Sequence, residues 1–271
     1  MSERIGRAFG AGQGGPRKAL VPFITAGDPH PDWTVDIMHA LVDGGANLIE
    51  LGVPFSDPMA DGPVIQEASE RAIAQGVTLE KVLEMVSRFR QRDEQTPVVL
   101  MGYMNPVERY GAGAFSAAAA RAGVDGLLLV DCPPEEALDL SVALREQGID
   151  SIRLVAPTTR PARLDRICAA ASGFIYYVSF KGITGANRLD AEALAAPIAA
   201  IRERSALPVA AGFGINDPES ARAVARYADG VVIGSALVKL LAACDSKDEA
   251  CEAGRAFVAS VRQALDNGDS A

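Results

Sequence analysis

The sequence predicts an α/β fold, a single (β/α)8 TIM barrel, because eight short, β-rich apolar runs alternate with segments of helical spacing along the chain. Length agrees, since 271 residues stand close to the roughly 250 of one such barrel. Most of the runs lack a polar face, as expected of parallel strands buried on both sides. Residues 1–271 are therefore read as one barrel domain without an internal boundary.

The strand runs, in order, are Ala19–Ala26, Asn47–Val53, Pro97–Tyr103, Gly126–Asp131, Ser151–Pro157, Phe174–Ser179, Pro208–Gly214 and Gly230–Ala236. A short N-terminal helix precedes the first. Between helix and strand, Gly10 to Gly15 match the dinucleotide pattern GxGxxG. That pattern places a pyrophosphate only when a strand precedes it and a helix follows, and here the order is reversed, so the stretch reads as a linker. Helical spacing covers Trp33–Asp43, Leu79–Gln91, Glu108–Arg121, Glu135–Gln147, Arg163–Ala171, Ala191–Arg204, Pro218–Tyr227 and Val258–Leu265. Several of these segments end in glycine, the residue that a left-handed helix cap favours. The connection after the second strand is long and holds an extra helical segment, Gln66–Gln75, expected over one barrel end.

Composition bounds the function. Hydrophobic residues make up 49% and charged residues 23%, an ordinary globular balance. With 26 Lys and Arg against 35 Asp and Glu, the net charge is −9, a field that repels nucleic-acid backbones and anionic membranes. No apolar run approaches the roughly 18 residues of a membrane-spanning candidate, and MSERIGRAFG lacks the apolar stretch of a signal peptide, so the cytoplasm is the expected address. The four cysteines form no CxxC pair and only two histidines accompany them, so no metal-ligand spacing is present. Cys132, beside Asp131 at a strand end, has the place of an exposed nucleophile but no nearby histidine to activate it; a reduced structural thiol is the plainer reading.

In a (β/α)8 barrel the chemistry lies at the C-terminal strand ends, with phosphate often held by the loops after strands seven and eight. Those runs end here in Gly212-Phe213-Gly214 and Gly234-Ser235, which offer bare backbone N–H groups to an anion, although glycines there also serve simply to turn the chain. Glu50, inside Leu48-Ile49-Glu50-Leu51-Gly52, is a carboxylate on an apolar barrel strand, where burial without a partner costs several kcal/mol. Either a backbone or arginine partner compensates it, or desolvation raises its pKa toward neutrality and suits it to general acid–base work. Asp57 and Asp61, in PFSDPMADG, fit Asx turns or helix caps as well as catalysis.

Taken together, LIELGVPFSDPMADGP (48–63), VPFITAGDP (21–29), YMNP (103–106), GITGA (182–186), GFGI (212–215) and GSALVK (234–239) resemble the tryptophan synthase alpha chain family, in order and over nearly the whole chain. The resemblance implies a lyase that performs retro-aldol cleavage of indole-3-glycerol phosphate to indole and glyceraldehyde 3-phosphate, with no metal or organic cofactor in this chain. It implies that Glu50 is the acid–base group, and that Asp61 hydrogen-bonds the indole N–H. It further implies that Tyr176 lines the site and that Phe23, Leu100, Leu128 and Phe213 form the apolar wall around the indole, where barrel core is the alternative role. Gly185, Gly214, Gly234 and Ser235 match the phosphate cradle, and Thr184 a lid residue that meets the aspartate on closure. Phe180-Lys181 departs from the arginine-containing pair of some members. The implied partner is a pyridoxal-phosphate-dependent beta chain in an α2β2 heterotetramer, docking on the polar, proline-rich segments that hold Asp57, Pro58, Asn105 and Pro133. Two other readings stay open on the residues themselves: a Schiff-base aldolase using Lys181, and a non-catalytic regulator that binds a phosphorylated ligand.

Overall fold

Eight parallel strands close on themselves in the computed structural model, which describes residues 2–10, 18–178, 191–212 and 214–267. They are β1 (Ala19–Thr25), β2 (Ile49–Gly52), β3 (Val98–Gly102), β4 (Gly126–Leu129), β5 (Asp150–Val155), β6 (Ile175–Val178), β7 (Val209–Gly212) and β8 (Gly230–Ile233). Each pairs with the next, and β8 returns to β1 with Ala19 opposite Gly230. Side chains alternate across a strand, so each run divides between two layers. Val21, Phe23, Val99, Leu128, Ile152, Tyr176, Ala210 and Val232 fill the barrel interior. Leu20, Ile24, Ile49, Leu51, Leu100, Leu127, Ile175 and Val231 join the larger layer between barrel and helices. This two-sided burial, roughly 1.5–3 kcal/mol for each fully buried Val, Leu or Ile, explains why the runs read as continuously apolar.

The helices are α1 (Glu3–Ala8), α2 (Thr34–Asp43), α3 (Pro63–Ala74), α4 (Leu79–Arg90), α5 (Met104–Tyr110), α6 (Ala112–Ala122), α7 (Leu138–Glu146), α8 (Pro161–Ala170), α9 (Ala195–Arg202), α10 (Pro218–Ala225), α11 (Ser235–Ala242) and α12 (Lys247–Asp266). The first of them, α1, plugs the N-terminal mouth of the barrel. Ile5 enters the interior cluster, and Phe9 packs on Phe174 with ring centroids 5.2 Å apart. Below them the buried Asp125 accepts from Ser2 Oγ at 2.9 Å and pairs with Arg90 at 2.7 Å and Arg4 at 3.1 Å. At the opposite end the extra segment after β2 is α3, with Pro63 at its first turn. Arg71 on α3 grips the buried Asp28 of the β1–α2 connection through bonds of 2.7 and 3.1 Å, which ties α3 to the end of β1.

Several elements differ from the sequence expectation, three of them for a clear local reason. The segment Glu108–Arg121 is two helices, α5 and α6, because Gly111 adopts φ +89, a left-handed geometry that breaks the hydrogen-bond ladder. The run Gly230–Ala236 stops being a strand at Ile233: Gly234 is the N-cap of α11, and Ser235 is its first residue. The closing helix starts at Lys247, well before Val258, because the Ser246 hydroxyl caps it by accepting from Glu249 N. The linker read over Gly10 to Gly15 lies, from residue 11 on, outside the described residues.

Candidate active site

At the C-terminal end of β1, β2 and β3, beneath the β2–α3 connection, lies a narrow cleft lined by Phe23, Thr25, Gly52, Asp61, Met101, Tyr103 and Val130 among others. Glu50 stands just below, on the inward face of β2, in register with Phe23 on one side and Val99 on the other. It is 1% exposed, and neither carboxyl oxygen has a hydrogen-bond partner among the described residues. Burial, and then the nearby charge of Asp61, push its pKa up to about 8. Among the described residues there is no backbone or arginine partner of the kind that would make it an ordinary buried glutamate. A pKa raised that far leaves Glu50 mostly protonated near neutral pH, the state from which a carboxyl can give a proton and take it back.

Asp61 reaches the same site from the β2–α3 loop. Burial raises its pKa, and a hydrogen bond from the Tyr103 hydroxyl, at 3.1 Å, opposes that rise. Tyr176 projects inward from β6; burial first, then the charges of Glu50 and Asp61, hold its hydroxyl well above the ordinary phenol range, so it stays a neutral donor. Its place depends on Gly212 on the neighbouring β7, since a Cβ there would collide with the Tyr176 hydroxyl. Phe23 and Leu128 are interior as expected. Leu100 is not: it points outward into the helix layer, and its neighbour Met101 lines the cleft instead. The cause is strand parity, because a shift of one residue exchanges the faces.

At the end of β8, Gly234 and Ser235 open α11, whose N-terminus has no side-chain cap among the described residues. By contrast, the Asp217 side chain already occupies the start of α10 in a capping box with Ser220. An anion placed at the start of α11 would meet first-turn N–H groups and a favourable dipole. Gly214 lies in the loop after β7. Phe213, Thr184, Gly185 and Lys181 fall outside the described residues, which leaves the lid and the aldolase lysine as sequence expectations.

The segments after β2, β3 and β4 leave the barrel at this same end. Asp57 and Asn105 are exposed, while Pro58 and Pro133 are half-buried. Asn105 sits in the first turn of α5 rather than in a loop. Cys132 is buried, and burial pushes its thiol pKa up, the reverse of what an activated nucleophile needs. Sequence reasoning passed over Met101, Tyr103 and the inward hydroxyl of Thr25, which is buried without a partner among the described residues. Parity counted outward from Val99 would have found Met101 and Tyr103, since both share its face.

A neutral carboxylic acid and a second carboxyl group that receives a hydrogen bond, converging at the open end of a parallel barrel, define an enzyme of general acid–base chemistry. Known relatives narrow that class. The chain belongs to the tryptophan synthase alpha chain family, a family of lyases, whose sequence profile matches residues 11–266. It is 58% identical over 267 residues to the tryptophan synthase alpha chain of Thioalkalivibrio sulfidiphilus, covering 97% of this chain and 99% of that one. The corresponding chain of Laribacter hongkongensis is 57% identical, with 98% of each chain covered. Among solved structures, tryptophan synthase subunit alpha from Legionella pneumophila superposes with a TM-score of 0.90 at 46% identity, over 98% of this chain and 99% of that one. A chain of M. tuberculosis tryptophan synthase, in its aminoacrylate-bound form, gives 0.85 at 35% identity over 97% and 99%. No helix among the described residues is long and apolar enough to cross a membrane.

Proposed function

We propose that Glu50 and Asp61 share the work of this family's lyase reaction, retro-aldol cleavage of indole-3-glycerol phosphate in L-tryptophan biosynthesis. The bond from indole C3 to the glycerol side chain breaks once C3 carries a proton, which turns the ring into an indoleninium cation. Glu50 supplies that proton. Its carboxylate then takes the proton from the hydroxyl on the carbon attached to C3, and that carbon becomes the aldehyde of glyceraldehyde 3-phosphate as indole leaves. Glu50 ends protonated, as it began. Asp61 accepts a hydrogen bond from the indole N–H and stabilises the cation where its charge develops.

Phe23, Leu128, Met101 and Tyr176 enclose the indole in this reading, and Gly214, Gly234 and Ser235 hold the phosphate through backbone N–H groups. Thr184, Gly185 and Phe213 are assigned to the lid and the wall on sequence resemblance. The activity is read as resident in one barrel domain, in the cytoplasm, with the chain docked through Asp57, Pro58, Asn105 and Pro133 on a pyridoxal-phosphate-dependent beta chain in an α2β2 assembly.

The observation that carries the proposal is the burial of Glu50, with neither oxygen partnered among the described residues, beside a second carboxyl group. Incubation of the purified chain with indole-3-glycerol phosphate is expected to release indole. In the Glu50→Gln variant turnover is expected to fall by at least about 10²-fold, the scale of a lost general acid–base group, while a phosphorylated indole analogue still binds. Substantial turnover by that variant would remove Glu50 from the mechanism.

A further inference from the structure

Tyr103 follows β3 at the barrel mouth and serves two atoms of the β2–α3 loop at once. Its hydroxyl accepts from Ala60 N at 3.0 Å and donates to Asp61 Oδ2 at 3.1 Å. A phenol has a single proton, and with the Ala60 N–H occupying its oxygen from one side that proton is directed at the carboxylate. The ring has little freedom to do otherwise: it is 4% exposed and stacks on Phe55 with centroids 5.1 Å apart. Gln66 on α3 fixes the loop from the other side, donating to the Asp61 carbonyl at 2.8 Å and the Pro58 carbonyl at 3.3 Å.

The other titratable groups around Asp61 are Glu50 from β2 and Tyr176 from β6, and Asp131, after β4, faces Tyr103 in turn. Two carboxyl groups this close compete for one negative charge. Burial acts on both, and more fully on Glu50, which is buried, than on Asp61, which is half-buried. The donor adds to that difference: Asp61 receives a hydrogen bond, and Glu50 has none among the described residues.

We propose that Tyr103 is a positioning residue which decides where the negative charge of the pair resides, holding Asp61 as the anion aimed at the indole N–H and leaving the proton on Glu50. A hydrogen bond donated to a carboxylate favours its ionised form, so the phenol offsets the burial of Asp61. The charge kept on Asp61 in turn keeps Glu50 protonated. The assignment rests on the reading of Asp61 as the group that stabilises the cation.

The test is the pH profile of indole release by the full chain, across about pH 5 to 9, for the native sequence, Tyr103→Phe and Asp61→Asn. Removal of the hydroxyl is expected to move the acidic limb of kcat/KM upward by roughly one pH unit, the scale of one lost charge-assisted hydrogen bond. On that limb turnover falls on the order of tenfold, and it recovers toward the native rate above the shifted limb. A role confined to packing would lower the whole profile and leave its limbs in place, and that outcome overturns the proposal. If Asp61→Asn turns over as fast as the native chain, the reading of Asp61 has failed instead. Should Tyr103→Phe not fold, Phe55→Leu decides: it keeps the hydroxyl but loosens the ring, and a smaller shift in the same direction supports the proposal while an unmoved limb rejects it.

Discussion

Glu50 carries a stability signature as well as a chemical one. Its pKa rises from an ordinary 4.5 to about 8 on folding, so between those values the unfolded chain has released this proton while the folded chain still binds it. Stability from this group is therefore fully present below about pH 4.5, declines by about 1.4 kcal/mol for each pH unit above that, and is lost by about pH 8. Gln at position 50 has no such slope. The unfolding free energy of Glu50→Gln relative to the native chain is expected to shift in the variant's favour by a few kcal/mol, in order of magnitude, between about pH 5 and pH 8. Urea titrations at the two pH values measure it, and an offset that does not change with pH would mean that the folded protein does not hold Glu50 neutral. Glu50→Asp is expected to keep the buried acid yet lose turnover by as much as about 10²-fold, because a displacement of order 1 Å is enough to misplace the proton.

At the scale of elements, the two candidate phosphate loops are not equivalent. The N-terminus of α10 is closed by its own Asp217–Ser220 capping box, whereas α11 starts at Gly234 with no side-chain cap. Gly234→Asp would place a carboxylate where α11 offers its N–H groups and would set charge against charge at the phosphate. Space is not the obstacle, since the nearest atom to a Cβ at Gly234 is in Phe23, 3.6 Å away. The expected result is a folded variant whose KM rises by an order of magnitude or more, the scale of roughly 1.4 kcal/mol of lost binding. An unaltered KM, measured beside a surface Gly→Asp control such as Gly113→Asp, would place the anion elsewhere. The α3 helix shows how an element positions chemistry without touching it. The Arg71–Asp28 pair ties α3 to the β1–α2 connection, and Gln66 on the same helix holds the Asp61 carbonyl.

The whole molecule is asymmetric between its two ends. Its N-terminal mouth is stoppered by α1 and the Asp125 network, while the C-terminal mouth gathers the cleft, the carboxyl groups and the segments with Asp57, Pro58, Asn105 and Pro133. Met59, 86% exposed in the loop that carries Asp61, gives that end an unprotected apolar contact. A partner seated there would bear directly on the Asp61 loop, exclude water from the cleft and fix the carboxylate in place. The isolated chain is therefore expected to be a slow enzyme whose kcat rises when a cognate beta chain is added, with Pro58→Ala and Asn105→Ala reducing that gain more than they reduce the basal rate. Equal rates with and without the beta chain, under conditions where sedimentation shows the complex has formed, would refute partner completion of this site.

Strand and helix periodicity depends on local spacing alone, which is why the barrel, its extra helix over the mouth and the anomaly of Glu50 are all legible in the sequence. An ionisable residue in an apolar strand announces a problem before any coordinates exist. Its solution is a tertiary matter. Whether Glu50 meets a partner depends on Phe23 and Val99 beside it and on Asp61 above, which chain folding brings from three other segments. The same limit explains Leu100 and Met101, both apolar and adjacent. Only the register of β3 between β2 and β4 decides which of them faces the cleft, because a slip of one residue costs nothing in composition and inverts every side chain. Tyr103 lay in a recognisable motif, yet its role required the β2–α3 loop to fold back over β3 and set Ala60 and Asp61 against one hydroxyl. The sequence determined which chemical groups this protein has and the barrel that carries them; the tertiary structure decided which of those groups meet, because hydrogen bonds and desolvation act over a few ångströms in space, whatever the separation along the chain.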